Sequence, residues 1–164
     1  MCRKQKLFFL FSLLYLISGE VIAKRYHTVE QYLDSFAPIA MNLKKETGIP
    51  ASVILGVAIV ESGFGNSKNC VLLKNHFGII GRNQLRANGI PYKSHYKQYD
   101  TDSASYRDFC RVVCSKTYYA KLKNRRPDAL WLKHISKTYA AARRKWVTRI
   151  LSIIRKYRLD RYNI

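Results

Sequence analysis

The stretch VILGVAIVESGFGNS, residues 53–67, decides the fold. Almost every residue from Val53 to Val60 is apolar, and a helix that is hydrophobic on all sides is typical of the middle of a core. The run ends at Glu61, and the glycines Gly63 and Gly65 that follow predict that the helix stops just after this carboxylate. The sequence therefore predicts a buried central helix that carries an acidic side chain at its end.

Helical patterns lie on both sides of this stretch. Thr28 and Gln31 form a capping-box pattern, and Gly48 closes the periodic segment that follows them. Further helices are predicted around residues 68–74, from Tyr106 to Val113, after Pro127 and from Trp146 to Tyr157. Residues 82–100 differ, because Asn88-Gly89 is a tight-turn signal between short tyrosine-containing runs, which predicts a small exposed β-hairpin. The expected fold class is mainly α (α+β), with one β excursion.

The charge of the chain favours anionic partners. Lys and Arg number 30 against 10 Asp and Glu, which gives a formal net charge of +20. Such a charge favours nucleic acid, acidic lipid or the carboxylate-bearing polymers of a cell wall, and charge alone does not choose among them.

The N-terminus narrows this choice. Arg3, Lys4 and Lys6 precede the apolar run LFFLFSLLYLI, and Val21-Ile22-Ala23 offers a cleavage site before Lys24. This pattern predicts a signal peptide over residues 1–23, with an uncleaved N-terminal anchor as the alternative. Export to the periplasm or beyond the cell argues against a nucleic-acid partner, and no stable membrane insertion is expected after cleavage.

The cysteines and histidines do not predict a metal site. Cys70, Cys110 and Cys114 remain after the predicted cleavage, and an odd number permits one disulfide and a free thiol or three free thiols. The interpretation we favour is that they are small core residues, with at most one bridge from Cys70. The four histidines lack metal-ligand spacing, and no organic cofactor motif is present, so no cofactor is expected.

Glu61 is the candidate for catalysis. No other carboxylate occurs between Glu61 and Asp100. The apolar segment should desolvate the Glu61 side chain and raise its pKa, while nearby basic residues oppose the rise. A carboxyl that stays partly protonated near neutral pH is suited to be a general acid. The alternative is a solvated glutamate at the boundary of a helix.

Several ordered blocks resemble the glucosaminidase domain of glycoside hydrolase family 73. They are ESGFGNS at 61–67, NHFGI at 75–79, YKQYDT at 96–101 and TYAAARRKW at 138–146, followed by ILSIIRKYRLDRYN at 150–163. The resemblance covers most of a single domain at residues 25–164, and it implies a lysozyme-like helical fold with a small β-hairpin lobe.

The resemblance also implies roles for individual residues. Glu61 corresponds to the catalytic acid of the family, and Tyr139 corresponds to a tyrosine in the cleft. Residues that match the family's cleft loop or the block supporting it are expected at the substrate-binding surface: Ser62, Phe64, Gly65, Ser67, Asn75, Phe77 and Gly78. Tyr99, with Tyr92 and Tyr96, is expected either to stack on sugar rings or to pair across the hairpin.

The second catalytic group is left open. Many relatives carry one further acid in the hairpin and another just ahead of the next helix. The hairpin segment of this chain has no acid, and its residue at the second position is Ala104. Asp100 and Asp102 are alternatives, although both are typical helix-cap residues. A third alternative is substrate-assisted hydrolysis by the 2-acetamido group of N-acetylglucosamine, which requires no second carboxylate.

Together these features predict a secreted peptidoglycan hydrolase, an endo-β-N-acetylglucosaminidase that acts on glycan strands. The alternatives are a non-catalytic glycan-binding module of the same fold and a cationic protein that disrupts membranes.

Overall fold

The central helix of the fold is the apolar segment that follows Pro50. The computed structural model describes residues 25–124, 127–139 and 141–164, so the predicted signal peptide lies outside the described residues. The elements are α1 (Val29–Thr47), α2 (Ala51–Ser62), α3 (Lys68–Leu73), α4 (Asp102–Cys114), α5 (Tyr119–Leu122), α6 (Asp128–Tyr139), α7 (Arg143–Lys156) and a final 3-10 turn (Leu159–Tyr162). The mainly helical prediction is confirmed.

Helix α2 is buried from Ala51 to Ile59, as its uniform hydrophobicity predicts. It packs against α1, α6, α7 and the final 3-10 turn. Gly56 permits the close approach of α7, because a Cβ atom at this position would lie 2.9 Å from Ile150 Cγ2 and 3.0 Å from Ile154 Cγ1. Because α2 is apolar on every face, it lies at the centre of the fold, where each face can pack against another element.

Helix α1 begins and ends where the sequence predicts. The Thr28 hydroxyl accepts a hydrogen bond from Gln31 N, and the Gln31 side chain accepts one from Thr28 N, which completes the capping box. At the other end Gly48 adopts the left-handed conformation with φ 73° and donates its N–H to Lys44 O. These caps satisfy backbone groups that the helix itself leaves unpaired.

The predicted β-hairpin is not found. In the described part of the chain, residues 82–100 form no regular strand, and the segment 80–96 is joined by one antiparallel bridge, between Ile80 and Tyr96. A two-residue type I′ hairpin turn needs positive φ at both central residues. Here only Gly89 has it, with φ 72°, because residues 85–89 form a tight coil in which Ile90 N donates to Leu85 O.

Side chains replace the missing strand ladder in this lobe. The Asn83 amide donates to the backbone oxygens of Ser94 and Tyr96 at 2.8 and 3.0 Å. Gln98 accepts a hydrogen bond from Gln84 N through its side-chain oxygen. The lobe is therefore an irregular loop whose backbone is fixed by polar side chains.

Cys70, Cys110 and Cys114 are free thiols, so no disulfide forms among them. Cys70 and Cys110 are buried, in agreement with the interpretation of small core residues. None of the helices in the described ranges has the length and hydrophobicity that crossing a membrane would require.

Candidate active site

Glu61 lies in the last turn of α2, at the wall of a cavity of about 350 Å³. Gly63 ends the helix with φ 57° and donates its N–H to Ile59 O. The helix thus stops directly after the carboxylate, as the sequence predicts. The described residues that line the cavity are Glu61, Gly78, Ile79, Ile80, Tyr96, Val112, Thr138 and Tyr139.

The Glu61 carboxylate has one strong hydrogen-bond partner. The indole N–H of Trp146, on α7, donates to Glu61 Oε1 at 2.6 Å. The pKa of Glu61 is raised above its ordinary value because burial disfavours the charged form. The hydrogen bond from Trp146 and the positive charge of Arg149 act in the opposite direction and only partly compensate. This balance is the one expected from the sequence, although Trp146 was not anticipated as a partner.

Tyr139 lies beside Glu61 at the end of α6. Its ring stacks on Trp146 with a centroid distance of 6.1 Å and an interplanar angle of 21°. Burial, and then the negative charge of Glu61, raise the pKa of Tyr139 far above its ordinary value. The tyrosine therefore stays protonated and keeps an O–H donor at this side of the cavity.

Gly78 leaves open the space in front of the carboxylate. A Cβ atom at this position would lie 3.8 Å from Glu61 Oε2 and 3.7 Å from the Tyr96 ring. Its φ of 64° also favours glycine. A larger side chain here would occupy part of the cavity in front of Glu61.

Asn75 and Phe77 lie beneath Gly78 and do not line the cavity. The Asn75 amide donates to the backbone oxygens of Ile79 and Lys97, and its oxygen accepts from the N–H groups of Phe77 and Ile79. Phe77 is fully buried and stacks on Phe109 with a centroid distance of 4.2 Å. These two residues hold the backbone on which Gly78 is placed.

The loop after α2 is fixed in a similar way. The buried Ser62 hydroxyl donates to Ala58 O and accepts from Gly65 N. A Cβ atom at Gly65 would lie 2.9 Å from the rings of Tyr26 and Tyr32. Phe64 has a positive φ of 57° and meets the ring of Tyr157 edge-on. Ser62, Phe64 and Gly65 thus shape the loop next to Glu61.

Tyr99 is buried beneath the lobe rather than in the cavity. Only 7% of its surface is exposed, and its hydroxyl donates to Asp108 Oδ2 at 2.8 Å. The same carboxylate also accepts from Lys97 and Arg111. This arrangement holds the lobe against α4, and Tyr96 is the lobe tyrosine that lines the cavity.

Neither Asp100 nor Asp102 lines the cavity. Asp102 accepts both fork hydrogen bonds of Arg25, at 3.0 and 2.8 Å, and is also bonded to His76 Nε2. Burial opposes ionisation, but the hydrogen bonds from His76 and Arg25 outweigh it and hold the pKa of Asp102 far below its ordinary value. Among the described residues of the cavity wall, Glu61 alone carries a carboxylate.

His76 belongs to a buried polar network that the sequence spacing does not predict. Cys70, His76 and Asp102 place their donor atoms within 4.8 Å of one another, so they form a possible set of metal ligands. However, Tyr32 is bonded to His76 Nδ1, and Arg25 is bonded to Asp102. These groups already satisfy one another, so the geometry fits a hydrogen-bonded link between α1, α4 and the segment before Gly78.

The fold resembles those of solved autolysin and glycoside hydrolase domains. The catalytic domain of the autolysin Auto from Listeria monocytogenes is 20% identical with a TM-score of 0.68, and the match covers 87% of this chain and 91% of that one. A C-terminally truncated glycoside hydrolase domain of FlgJ from Salmonella typhimurium is 16% identical with a TM-score of 0.62, over 80% and 98% of the two chains.

A third similar structure, described as an N-acetylmuramoyl-L-alanine amidase from Staphylococcus aureus, is 21% identical with a TM-score of 0.69. The match covers 86% of this chain but 45% of that protein. A search of curated protein sequences finds no significant match. At these identities the structural likenesses show the lysozyme-like fold alone.

The family follows from a separate comparison. A family model, described as mannosyl-glycoprotein endo-beta-N-acetylglucosaminidase, matches residues 37–159, which is most of the chain and includes Glu61, Gly78, Tyr139 and Trp146. The protein therefore belongs to the glucosaminidase family of glycoside hydrolases.

Proposed function

We propose that the protein is a peptidoglycan hydrolase that cleaves the β-1,4 bond on the reducing side of N-acetylglucosamine, with Glu61 as general acid. The observation that carries the proposal is the Glu61 carboxyl, which lines an open cavity with its pKa raised by burial. A raised pKa favours the protonated carboxyl, which can deliver its proton to a glycosidic oxygen. The family supports this substrate class, as do an autolysin domain and a peptidoglycan hydrolase of similar fold.

The second half of the reaction is assigned to the substrate. As the C1–O4 bond breaks, the Glu61 proton moves to the leaving O4, and the acetamido oxygen of the same sugar bonds to C1. A water molecule then adds to C1 and opens the ring intermediate, while Glu61 takes up a proton from that water. This route is supported by the cavity wall, whose described residues provide no carboxylate besides Glu61.

Tyr139 is assigned to the orientation of the reacting face. Its hydroxyl stays protonated and lies at the same cavity as Glu61. The Tyr139→Phe substitution retains the ring and its stacking on Trp146 but removes the donor. We expect kcat to fall at least tenfold with little change in strand binding. An unchanged kcat would remove Tyr139 from the mechanism.

The test of Glu61 is the isosteric Glu61→Gln substitution. Purified cell walls treated with the wild-type protein should lose turbidity and release reducing ends on N-acetylglucosamine. The variant should lose at least about 100-fold in rate while it still co-sediments with walls. Glu46→Gln is the matched control, because Glu46 is an exposed residue of α1 paired with Arg107 at the surface. Full turnover by Glu61→Gln would contradict the proposal.

A glycan-binding module of the same fold is the second candidate. It is favoured by the same single-carboxylate wall, because many glycosidases use two carboxylates. Wild-type protein that binds walls and releases no reducing ends, with mass spectrometry showing intact glycan, would establish this function instead.

We also infer that the protein acts in the cell envelope or outside the cell. Residues 1–23 carry the basic and apolar segments of a signal peptide, and the proposed substrate is found there. The exported protein should begin at Lys24, which N-terminal sequencing would check. An intact N-terminus on the exported chain would favour the anchor.

A further inference from the structure

A second cavity is lined by residues of α6 and α7, and neither Trp146 nor Glu61 belongs to its lining. It has a volume of about 420 Å³, and we call it the basic groove. Its described lining residues are Ala129, Lys133, Ser136, Lys137, Arg143, Arg144, Val147 and Thr148. Its size lies in the range of sites that take a small molecule or a few residues of a peptide.

The charge of this groove is of one sign. Lys133, Lys137, Arg143 and Arg144 are exposed at its edges, and the described lining contains no carboxylate. None of the four forms a salt bridge with a carboxylate in the described ranges. The pKa of the neighbouring His134 is lowered by desolvation and then by the positive charges of Lys137 and Lys133. An anionic occupant is therefore favoured.

The lining between these charges is apolar. Ala129 and Val147 contribute hydrocarbon surface, and the aliphatic stems of the lysines extend it. Arginine guanidinium groups bind carboxylates through paired hydrogen bonds, while lysines act as point charges. A short peptide with small apolar side chains and free carboxylates matches both properties of the groove.

The groove lies close to the candidate active site. Ser136 and Lys137 line the groove, while Thr138 and Tyr139, the next residues of α6, line the cavity of Glu61. The two sites thus occupy different faces of one helical turn, whose diameter with side chains is about 10–12 Å. A branched polymer that fills one site can reach the other.

We propose that the basic groove binds the acidic peptides of the peptidoglycan strand whose glycan occupies the Glu61 cavity. The proposal rests on the proposed function and assigns to the groove a preference for strands with free carboxylates. The groove contributes affinity and leaves the bond-breaking step to Glu61 and the sugar. Acidic lipid is the competing occupant, but a bilayer presents a surface, whereas this cavity accommodates a short segment.

The test compares two soluble probes that differ only in charge. One is uncross-linked peptidoglycan strands with free peptide carboxylates, and the other is the same strands after amidation of those carboxylates with carbodiimide and ammonia. The affinity of the Glu61→Gln protein for the free-carboxylate strands, divided by its affinity for the amidated strands, measures the recognition of charge. Lys137→Gln with Arg144→Gln should lower this ratio about three- to tenfold, from the usual strength of exposed charge pairs.

Matched variants separate the groove from the overall charge. Lys45→Gln with Lys156→Gln removes two exposed cations elsewhere, Lys45 in the last turn of α1 and Lys156 at the end of α7. Lys156 lies about 18 Å along α7 from Arg144, at 1.5 Å per residue. This control should keep the ratio within about twofold of its value in the Glu61→Gln protein. The charge-conserving pair Lys137→Arg with Arg144→Lys should retain the ratio as well.

Other outcomes overturn the proposal. An equal loss of the ratio in the groove and control variants would show only unspecific attraction. A groove variant that loses binding to phosphatidylglycerol vesicles but keeps the strand ratio would assign the groove to lipid. Turnover of amidated strands by the wild-type protein tests the proposed function separately, since that reaction needs only the glycan.

Discussion

Replacement of Trp146 by Phe removes the indole N–H that donates to Glu61 Oε1 at 2.6 Å and leaves a ring to stack on Tyr139. The N–H stabilises the charged carboxylate, so its loss should raise the pKa of Glu61 further. A hydrogen bond to a charged group contributes about 1.5–3 kcal/mol. One pKa unit corresponds to about 1.4 kcal/mol, and the partly exposed carboxyl favours the lower end, a rise of about one unit.

The assay is the pH dependence of kcat/KM on soluble peptidoglycan strands, which reports the pKa of the acid in the free enzyme. In the proposed mechanism Glu61 must be protonated to act as general acid, so activity should fall on the alkaline side as it ionises. The Trp146→Phe variant should move this alkaline limb upward by about one pH unit. Arg149→Gln should move it in the same direction by less, because Arg149 is exposed and acts through its charge.

An unmoved limb, or one that shifts to lower pH, would refute the reasoning. Either result would mean that the indole does not stabilise the ionised acid or that the limb belongs to another group. Thermal unfolding of the variant checks that the fold is retained. Tyr139→Phe serves as a further control, because it removes a donor for the substrate while the Trp146 hydrogen bond remains.

Three further predictions concern stability. Glu61→Gln should raise the free energy of unfolding at pH 7, because the raised pKa of Glu61 makes its ionised form unfavourable in the fold; the gain should vanish as the pH falls below the pKa of the unfolded chain, and urea titrations at pH 7 and pH 3.5 would check this. Gly56→Ala should cost about 1–3 kcal/mol, because the new Cβ atom would lie 2.9 Å from Ile150; an unchanged melting temperature would show that α7 moves away freely. Asp102→Asn should cost about 2–5 kcal/mol at pH 7, because it leaves Arg25 without its ion pair. The pKa of Asp102 is lowered in the fold, so the advantage of the wild type in free energy of unfolding should shrink as the pH falls below the pKa that Asp102 has in the unfolded chain.

The sequence predicts the helices well because their signals are local. The continuous hydrophobicity of α2 requires burial on every side, and Thr28 and Gly48 mark the ends of α1 by their own capping chemistry. The position of Glu61 follows from the same reasoning, since the glycine after it terminates the helix. The expected rise in its pKa also follows, because burial could be anticipated from its neighbours in sequence.

The sequence fails where distant side chains decide the structure. Asn88-Gly89 is a hairpin signal, but the hydrogen bonds of Asn83 and Gln98 arrange the lobe in a different way. The pattern of α7 predicts that Trp146 is an ordinary core residue, and no local pattern predicts its hydrogen bond to Glu61. A signal was available in its chemistry, because the N–H of a buried indole usually finds a hydrogen-bond acceptor.

The hydrogen bond between Trp146 and Glu61 joins residues 85 positions apart in the chain. A ribosome that has completed α2 has therefore made an ordinary glutamate, whose acidity is that of a solvated carboxyl. The pKa of Glu61 in the fold is set only when α7 docks on the first half of the domain and brings the hydrogen bond of Trp146, which opposes the effect of burial. Synthesis thus separates the making of the carboxyl from the fixing of its acidity, and a chain that ends before α7 lacks the group that stabilises the ionised form of Glu61.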